Sequence, residues 1–487
     1  MDENQESQKN ENSVTSKKNE NFSDWYSQVV TKTELMDYAP IKGSMAFRPY
    51  SYEIWENMQS IFDRMIKDTG HRNVYMPLLI PSKLIELEGE HFKGFNPEVY
   101  WVTKSGNNDL NEKLAIRPTS ETIFYYFFAK WIRSWRNLPL LLNQWCSVLR
   151  SEIKDTKPFI RTSEFLWQEG HTAHETAEEA EHEVLMIAEF YRKVSEEYLA
   201  IPVLLGKKSE LEKFAGAVYT VALEALMPDG KALQSATSHY LGQNFSKPFD
   251  VTYLDKDNNK RNPYTTSWGI STRVIGGLVM AHGDDKGLIM PPMVAPINVV
   301  IVPIYKDDTK ERVLMHSKML LKKLVSKGIR TKLDDRDGYT PGWKFNEWEM
   351  KGVPLRMEIG PRDIDNSQVV LARRDNSSKI TISEAELLKK VRSELRSIQK
   401  SLFKKAKENL KKGITSVKSY AAFKDAFEHK GGFIRANWCG SSECELKIKE
   451  ETTATCRIIK IEKEKTFGRC VYCGKEANEV AYFAKAY

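Results

Sequence analysis

The apolar positions of the chain predict a long strand hairpin flanked by helices. Within 139–171, an apolar run leads into Arg150, a reversal follows at 154–158, and a second strand-like stretch continues to the end of the segment. Helices are predicted at 22–38, 122–135 and 171–200, and apolar residues at helical spacing over 54–65, stopped by Gly70, predict another. Short strands are predicted at 74–81 and 113–121. The pattern indicates a mixed α and β domain built around the hairpin.

The hairpin carries polar and aromatic side chains that do not suit a sheet interior. Because strand side chains alternate, Arg150 and Glu152 share one face, and Arg161, Phe165, Trp167 and Glu169 share one face of the return strand if no bulge intervenes. A buried guanidinium needs a partner. Arginine forks match phosphate oxygens and aromatic faces stack on bases, which favours a nucleotide site. The alternative is a sheet edge with solvated ion pairs.

Three further segments place polar groups beside predicted strands. The strand at 231–242 carries Gln234, Thr237 and His239, which are either satisfied structural groups or the lining of a pocket. A strand end after 267 leads into a helix that begins near Arg273. The stretch R-P-T-S-E at 117–121 is either a helix cap or a substrate loop. Neither a P-loop nor a G-x-G-x-x-G motif occurs, so a nucleotide would bind on a sheet.

After Pro291 and Pro292, the pattern changes to alternating strands and helices. Strands are predicted at 299–304, 329–334, 355–359 and 369–372, and helices at 310–327, near 345–350 and from Ser383 onward. This alternation predicts an α/β domain over 297–400. The stretch 383–412 carries ten Lys and Arg residues against four Glu, which indicates either a solvated helix face or a nucleic-acid partner.

Five of the six cysteines lie after residue 438. Cys439 and Cys444 form one pair and Cys470 and Cys473 a second, and four thiolates in two such pairs are what a closed tetrahedral zinc site requires. Cys456 is an alternative fourth ligand. The sequence therefore predicts a zinc-binding C-terminal module, at 401–487.

Composition limits the class of protein. A chain of 487 residues with 41% hydrophobic and 29% charged residues is expected to fold into about two to four domains. Residues 1–21 are polar with mixed charges, so we interpret them as a disordered tail and not as a signal or an organelle presequence. No apolar run approaches the roughly 20 residues that span a bilayer, and we expect a cytoplasmic protein without a membrane partner.

Together these motifs resemble the class II aminoacyl-tRNA synthetases. The helix, Gly70 and the strand at 74–81 are similar to motif 1, which forms the dimer interface in that family. R-x-E followed by R-x-x-x-F, from Arg150 to Phe165, resembles motif 2, and Arg273 falls where motif 3 places its arginine. R-P-T-S-E, Q-x-x-T-S-H and the cysteine module are typical of prolyl-tRNA synthetases of the archaeal and eukaryotic type, over about 24–487.

The resemblance implies a fold and its domains. We expect an α+β catalytic domain with an antiparallel sheet at 22–292, an α/β anticodon-binding domain at 297–400 and a small zinc-binding α+β domain at 401–487. About one hundred residues separate Phe165 from Arg273. The resemblance therefore also implies the absence of a cis-editing domain between motifs 2 and 3.

The implied reaction is ATP-dependent attachment of proline to tRNA(Pro) by a homodimer, through prolyl-adenylate, with Mg²⁺ on the ATP and Zn²⁺ in a structural site. The resemblance assigns ATP contacts to Arg150, Glu152, Arg161, Phe165, Gln234, Thr237 and Arg273. It assigns the proline pocket to Thr119, Glu121, Arg150, Trp167 and His239. Zinc is assigned to Cys439, Cys444, Cys470 and Cys473. Anticodon contacts are assigned by composition and position to Arg336, Lys344, Glu347, Arg356 and Glu358.

Two alternatives remain open from the sequence. One is a catalytically inactive, synthetase-like RNA-binding or regulatory protein with the same fold. The other is a class IIa synthetase for another amino acid, such as threonine or histidine.

Overall fold

The computed structural model describes residues 13–91, 99–153 and 155–487, without the side chains of 88–91. The predicted disordered tail over 1–21 lies partly outside these ranges. Its described part, from residue 13, contacts the folded chain: the ammonium of Lys18 donates to the carbonyls of Met280 and Gly283, 2.8 and 2.6 Å away. Carbonyls at a helix end attract a cation, so the tail prediction does not hold for 13–21.

The first part of the chain contains six α-helices in the described ranges. They are α1 Phe22–Lys32, α2 Pro49–Lys67, α3 Ser82–His91, α4 Glu121–Trp131, α5 Ala177–Lys193 and α6 Arg273–His282. The helix predicted at 22–38 ends at Lys32, because Glu34 adopts a left-handed backbone conformation with φ of 60°. The helix predicted at 171–200 begins only after Thr176, whose side chain accepts a hydrogen bond from the Glu179 N–H.

The strands of this part are short at its start and long around the predicted hairpin. They are β1 Met36–Tyr38, β2 Met45–Phe47, β3 Arg72–Asn73, β4 Leu79–Pro81, β5 Trp101–Ser105, β6 Asn108–Ile116, β7 Leu140–Leu149, β8 Glu164–His174, β9 Val203–Lys207, β10 Tyr219–Leu226, β11 Ala232–Gly242, β12 Tyr253–Leu254, β13 Lys260–Arg261 and β14 Tyr264–Ser271. The predicted hairpin is confirmed as β7 and β8, which pair antiparallel from Leu140 with Ala173 to Leu149 with Glu164.

One antiparallel sheet forms the centre of the domain expected to be catalytic, and we call it the catalytic sheet. In the order β9, β10, β11, β14, β8 and β7, neighbouring strands are hydrogen-bonded, and β3 joins the far edge in parallel. Helices α2 and α5 cover one face, where Phe62 stacks on Tyr191 with ring centroids 5.0 Å apart. Burial of these apolar faces fixes the sheet as a rigid platform for side chains on its other face.

The second part of the chain forms a separate five-stranded sheet. Its strands are β15 Val299–Pro303, β16 Thr331–Leu333, β17 Leu355–Ile359, β18 Gln368–Arg373 and β19 Lys379–Ser383, in the order β16, β15, β17, β18, β19. Its helices are α7 Lys310–Val325, α8 Pro341–Met350, α9 Pro361–Asp365 and α10 Leu387–Lys412. The alternation predicted this domain, but the helix predicted from Ser383 begins at Leu387, since Ser383 ends strand β19.

The last part of the chain extends the catalytic sheet. Its elements are β20 Ile414–Val417, α11 Tyr420–His429, β21 Phe433–Trp438, α12 Ser442–Thr452, β22 Thr455–Lys460 and β23 Glu479–Ala484. Strand β22 pairs with β9, and β23, β21 and β20 follow, so that one sheet has eleven strands. Behind this junction, Glu224 is fully buried and binds both Lys208 and Arg457 at 2.7 Å.

Within the described ranges, no helix combines the length and the apolar character that crossing a membrane demands.

Candidate active site

An open cleft on the catalytic sheet gathers most of the residues predicted to bind a nucleotide. Its lining includes Arg150, Arg161, Phe165, Trp167, Gln234, Thr237 and Arg273. Strands β8, β11 and β14 are neighbours in the sheet, which brings these residues together from distant parts of the sequence. Glu152 is not part of this lining; it is exposed in the turn that follows Arg150.

Arg150 lies at the end of β7, where the strand leaves the sheet. Its Nε donates to the carbonyl of Pro118 at 3.1 Å, and its guanidinium carbon lies 5.4 Å from the Phe165 ring centroid and 4.9 Å from that of Trp167. Burial lowers the pKa of Arg150, while Glu152, Glu121 and Glu169 act in the opposite direction. The hydrogen bond and the two ring contacts together hold the guanidinium in a defined orientation.

The loop between the two hairpin strands is fixed by Arg273, the first residue of α6. Its Nε donates to the carbonyl of Ile160 at 2.9 Å, and burial, followed by the charge of Arg150, lowers the pKa of Arg273 to about 10. The alternation predicted Arg161 on the return strand, but the structure does not place it there. It is exposed in the loop, because a left-handed turn at Phe159 buries Phe159 and Ile160, and β8 begins only at Glu164.

The R-P-T-S-E segment docks against the end of β7. The carbonyl of Arg117 accepts a hydrogen bond from the Leu149 N–H at 3.2 Å. The Thr119 hydroxyl donates to the carboxylate of Glu121 at 2.5 Å, and Glu121 is the buried first residue of α4. This segment is therefore a helix start whose Thr119 and Glu121 follow the Pro118 carbonyl that holds Arg150, where the proline pocket is predicted.

Sequence reasoning placed Glu169 on one face of the return strand but gave this buried carboxylate, which contacts Ser120, no role. Glu169 accepts hydrogen bonds from the Ser120 hydroxyl at 2.5 Å and from Gln144 at 3.0 Å, and lies 3.2 Å from Nε2 of His171. Burial raises the pKa of Glu169, but hydrogen bonds from His171, Ser120 and Gln144 outweigh it and lower the pKa to about 2. The sequence did contain a signal for this network: Glu169 and His171 are two polar residues on the same face of a strand, and a buried strand face is expected to be apolar.

His239 forms the far side of the same region. It is half-buried on β11, with Nδ1 2.9 Å from the Thr220 hydroxyl and its ring 4.7 Å from that of Phe214. Burial lowers the pKa of His239 to about 3, so its imidazole is neutral at pH 7. Nε1 of Trp167 is also buried and has no hydrogen-bond partner among the described residues, so it is a donor that a ligand can use.

The four predicted metal ligands come together at the start of α12. The Sγ atoms of Cys439, Cys444, Cys470 and Cys473 all lie within 4.8 Å of one another, and Cys439 is 3.7 Å from Cys444. Cys456 lies outside this group, buried in β22. The backbone N–H of Lys475 lowers the pKa of Cys473 to about 7, which favours the thiolate form that binds metal. The geometry fits one tetrahedral ion.

The predicted anticodon residues fall into two groups on the α/β domain. Arg336 binds both Asp334 and Glu347, and its guanidinium lies 5.1 Å from the ring of Tyr339. Lys344 is almost completely buried, and its ammonium donates to the Asp334 carbonyl.

Arg356 and Glu358 form the second group. Arg356 lies 4.0 Å from the Phe345 ring centroid, donates to Glu358 at 2.8 Å, and lines a second cleft together with Trp348, Arg373 and Lys379. Cations beside aromatic faces are suited to unpaired bases, and both groups have this composition.

Family models match three consecutive parts of the chain. The tRNA synthetase class II core domain (G, H, P, S and T) matches residues 100–282. The anticodon binding domain matches 298–394, and the prolyl-tRNA synthetase C-terminal domain matches 420–487. The three matches follow the order of the catalytic sheet, the α/β domain and the cysteine module.

Relatives and a solved structure match over nearly the whole length. Proline--tRNA ligase 2 of Clostridioides difficile is 53% identical over 97% of both chains. Proline--tRNA ligase of Cenarchaeum symbiosum is 50% identical over 97% of this chain and 99% of its own. The crystal structure of prolyl-tRNA synthetase from Cryptosporidium parvum, complexed with halofuginone and AMPPNP, superposes with a TM-score of 0.92 at 45% identity, covering 98% of this chain and 97% of that chain.

Proposed function

The chain belongs to the prolyl-tRNA synthetases, and from that premise we propose that it attaches L-proline to tRNA(Pro) in an ATP-dependent reaction. The carboxylate of proline attacks the α-phosphorus of ATP, which gives prolyl-adenylate and releases pyrophosphate. A terminal ribose hydroxyl of the tRNA then takes the prolyl group and releases AMP. Such chemistry needs positioning and charge stabilisation more than a protein nucleophile.

The position of Arg150 carries this proposal. Through Nε it is bonded to Pro118, next to Thr119 and Glu121, and its guanidinium lies over Phe165 in the nucleotide cleft. A single cation therefore borders both reactant sites. Placed there, it neutralises the proline carboxylate and the α-phosphate as they approach, and it stabilises the negative charge on the α-phosphate oxygens in the transition state.

The other nucleotide contacts follow from the cleft. Phe165 and Arg273 form the two sides of a sandwich for adenine, and Arg161, exposed at the open end, binds the γ-phosphate. Gln234 and Thr237 contact the nucleotide from β11. Glu152 reads the exocyclic amine of adenine, and its exposed position in the turn leaves it accessible to a base entering the cleft.

The proline pocket is formed by Thr119, Glu121, Trp167 and His239. A secondary ammonium has two N–H donors, and a hydroxyl oxygen with a carboxylate accepts both while neutralising the charge. The network of Glu169, Ser120 and His171 holds the loop that carries these acceptors. His239, being neutral, closes the pocket without repelling the ammonium.

Two metal ions accompany this function. Mg²⁺ enters with ATP, bound largely through phosphate oxygens and water. Zn²⁺ is held by Cys439, Cys444, Cys470 and Cys473, and a four-thiolate site supplies structural cross-linking of the C-terminal module.

Several further features belong to the proposal. A domain boundary at 292 separates the first two units, the boundary predicted at 400 moves to the end of α10 at Lys412 because that helix is continuous from Leu387, and the protein is cytoplasmic. A homodimer forms through the motif 1 region, where Tyr75 is 68% and Leu79 38% exposed on the described chain. The anticodon is read by Arg336, Glu347 and Arg356, whereas Lys344 and Glu358 are buried and support the loop that carries Arg336 and the guanidinium of Arg356.

Proline-dependent exchange of pyrophosphate into ATP tests this function directly. We expect exchange with proline to exceed that with threonine and histidine. A larger signal with either of those amino acids would reassign the pocket. Absence of exchange with every amino acid would leave the inactive RNA-binding alternative.

A further inference from the structure

Helix α10 carries a continuous row of cations that the catalytic mechanism does not use. The helix buries Leu387, Val391, Ile398 and Leu402 against the α/β domain. On the opposite face, exposed basic residues recur every three or four positions, which keeps them on one side of a helix with 3.6 residues per turn. This basic row consists of Lys389, Arg392, Arg396, Lys400, Lys404, Lys407 and Lys411. At 1.5 Å per residue it is about 33 Å long.

The charges of the basic row are not neutralised within the part of the chain that the structure describes. Arg392 donates to a carbonyl, that of Lys327, and Lys407 lies beside the ring of Phe403. Neither contact involves a carboxylate. Elsewhere on the same domain, exposed cations do have acidic partners, as Arg312 has Asp365 and Lys310 has Asp337.

The two acidic residues of α10 do not neutralise the basic row either. Glu394 binds Arg373, which lines the second cleft, and Glu408, although four residues after Lys404, forms no ion pair with a cation of the row in the part of the chain that the structure describes. An unpaired row of like charges costs self-repulsion in the free protein, and a polyanion removes that repulsion.

The basic row also passes beside the second cleft. Ser397 accepts a hydrogen bond from Arg373, and Arg373 and Arg356 both line that cleft. Lys404 follows Ser397 by seven residues, two turns further along nearly the same side of α10. A nucleic acid whose unpaired bases enter the cleft would therefore bring its adjoining backbone alongside the helix.

We propose that the basic row of α10 binds the phosphate backbone of the helical stem in the anticodon arm of tRNA. This inference rests on the proposed function, which supplies the tRNA, and adds a second contact surface outside base recognition. Backbone contacts of this kind position the RNA and contribute affinity without reading sequence. The surface should therefore contribute a salt-dependent part of tRNA affinity and nothing to adenylate formation.

The test compares two triple variants of the full chain that lower the net charge equally. One is Arg396→Gln, Lys400→Gln, Lys404→Gln in the row. The control is Lys113→Gln, Lys247→Gln, Lys465→Gln, three exposed lysines elsewhere. Binding of a tRNA(Pro) transcript is measured between about 50 and 200 mM salt. Loss of three phosphate contacts should reduce the slope of log affinity against log salt by about 2 to 3, while the control keeps the wild-type slope.

Two RNA fragments locate the contact. A hairpin that reproduces the anticodon arm should show the reduced slope, and an acceptor-arm minihelix should not. Equal slopes for the two triple variants, or a reduction seen only with the minihelix, would overturn the proposal. If the row variant fails to fold, Lys400→Gln alone should lower the slope by about 1, and Arg396→Lys with Lys400→Arg and Lys404→Arg should restore wild-type binding.

Pyrophosphate exchange separates this inference from the proposed function. The row variant should retain wild-type exchange with proline, because that reaction needs no tRNA. A protein without exchange whose RNA binding still depends on the row would refute the proposed function and leave the RNA surface standing. Normal exchange by the row variant, together with an unchanged salt slope for tRNA binding, would refute the RNA surface and leave the proposed function standing.

Discussion

The guanidinium of Arg150 lies over the indole ring of Trp167, with its central carbon 4.9 Å from the ring centroid. Nε of the same arginine is bonded to the carbonyl of Pro118. The side chain is thus held on two sides before any substrate arrives. Pre-organised charge of this kind does not have to reorient as the transition state forms, so the energy of the contact is available for catalysis.

Arg150→Ala should lower proline-dependent pyrophosphate exchange by about 100-fold or more, since removing one pre-organised donor from a transition state has effects of that size. Arg150→Lys should also be strongly impaired, because an ammonium cannot stack as a plane or donate as a fork. Arg136→Ala, an exposed arginine stacked on Trp135, is the matched control. Near-normal exchange by Arg150→Ala would show that Arg150 does not bridge the proline carboxylate and the α-phosphate.

Glu169 should make the stability of the protein depend on acid pH. Its pKa is about 2 in the folded protein, below its usual value of 4.5, so the unfolded chain takes up the proton first as pH falls. The stabilisation is therefore complete above about pH 5 and is lost towards pH 2. Relative to Glu169→Gln, the wild-type free energy of unfolding should fall by about 2 kcal/mol between pH 5 and pH 3. Urea unfolding followed by tryptophan fluorescence measures it, and parallel curves for the two proteins would contradict the assignment.

The purified protein should contain one zinc ion per chain by metal analysis. Cys473→Ser should lose the ion, because serine does not replace a thiolate ligand, and the C-terminal module should then unfold at a lower temperature. Cys456→Ser should retain zinc, since Cys456 is outside the group of four. Zinc retained by Cys473→Ser and lost by Cys456→Ser would redraw the site around Cys456.

Arg356→Ala should weaken aminoacylation without affecting pyrophosphate exchange. Its guanidinium lies against Phe345 and lines the second cleft, where one base contact is worth about 1 to 3 kcal/mol. The value of kcat/KM for tRNA should fall about tenfold or more. The control is Arg312→Ala, which removes an exposed ion pair on α7. Equal effects of the two changes on tRNA charging would exclude Arg356 from recognition.

Local pattern and motif order were enough to predict most of the architecture. The fold class and the family are confirmed, and the hairpin, β11, β14 and the start of α6 at Arg273 lie where the alternation indicated. Errors arose where a single backbone conformation decides the outcome. The left-handed residues Glu34 and Phe159 end a helix early and move Arg161 off its strand, and neither residue type signals that conformation.

Tertiary contacts account for the other omissions. Glu169 is recognisable only when Ser120, Gln144 and His171 are seen around it, because alternation alone cannot separate a satisfied buried carboxylate from an exposed one. Likewise, no local pattern indicates that the cysteine module continues the catalytic sheet, since strand partners so far apart in sequence leave no periodic trace.

The junction of β9 and β22 limits how this chain can be shortened. The two strands pair at only two positions, yet a Cβ on Gly206 would come within 2.5 Å of the Ile459 carbonyl, so the backbones are in close contact. Cutting away the last module would bare the unpaired edge of β9 and leave Glu224 without Arg457. An open strand edge invites pairing with other molecules. We therefore expect a truncated enzyme to self-associate. In the full chain, the C-terminal module covers the edge of β9 and thereby prevents aggregation.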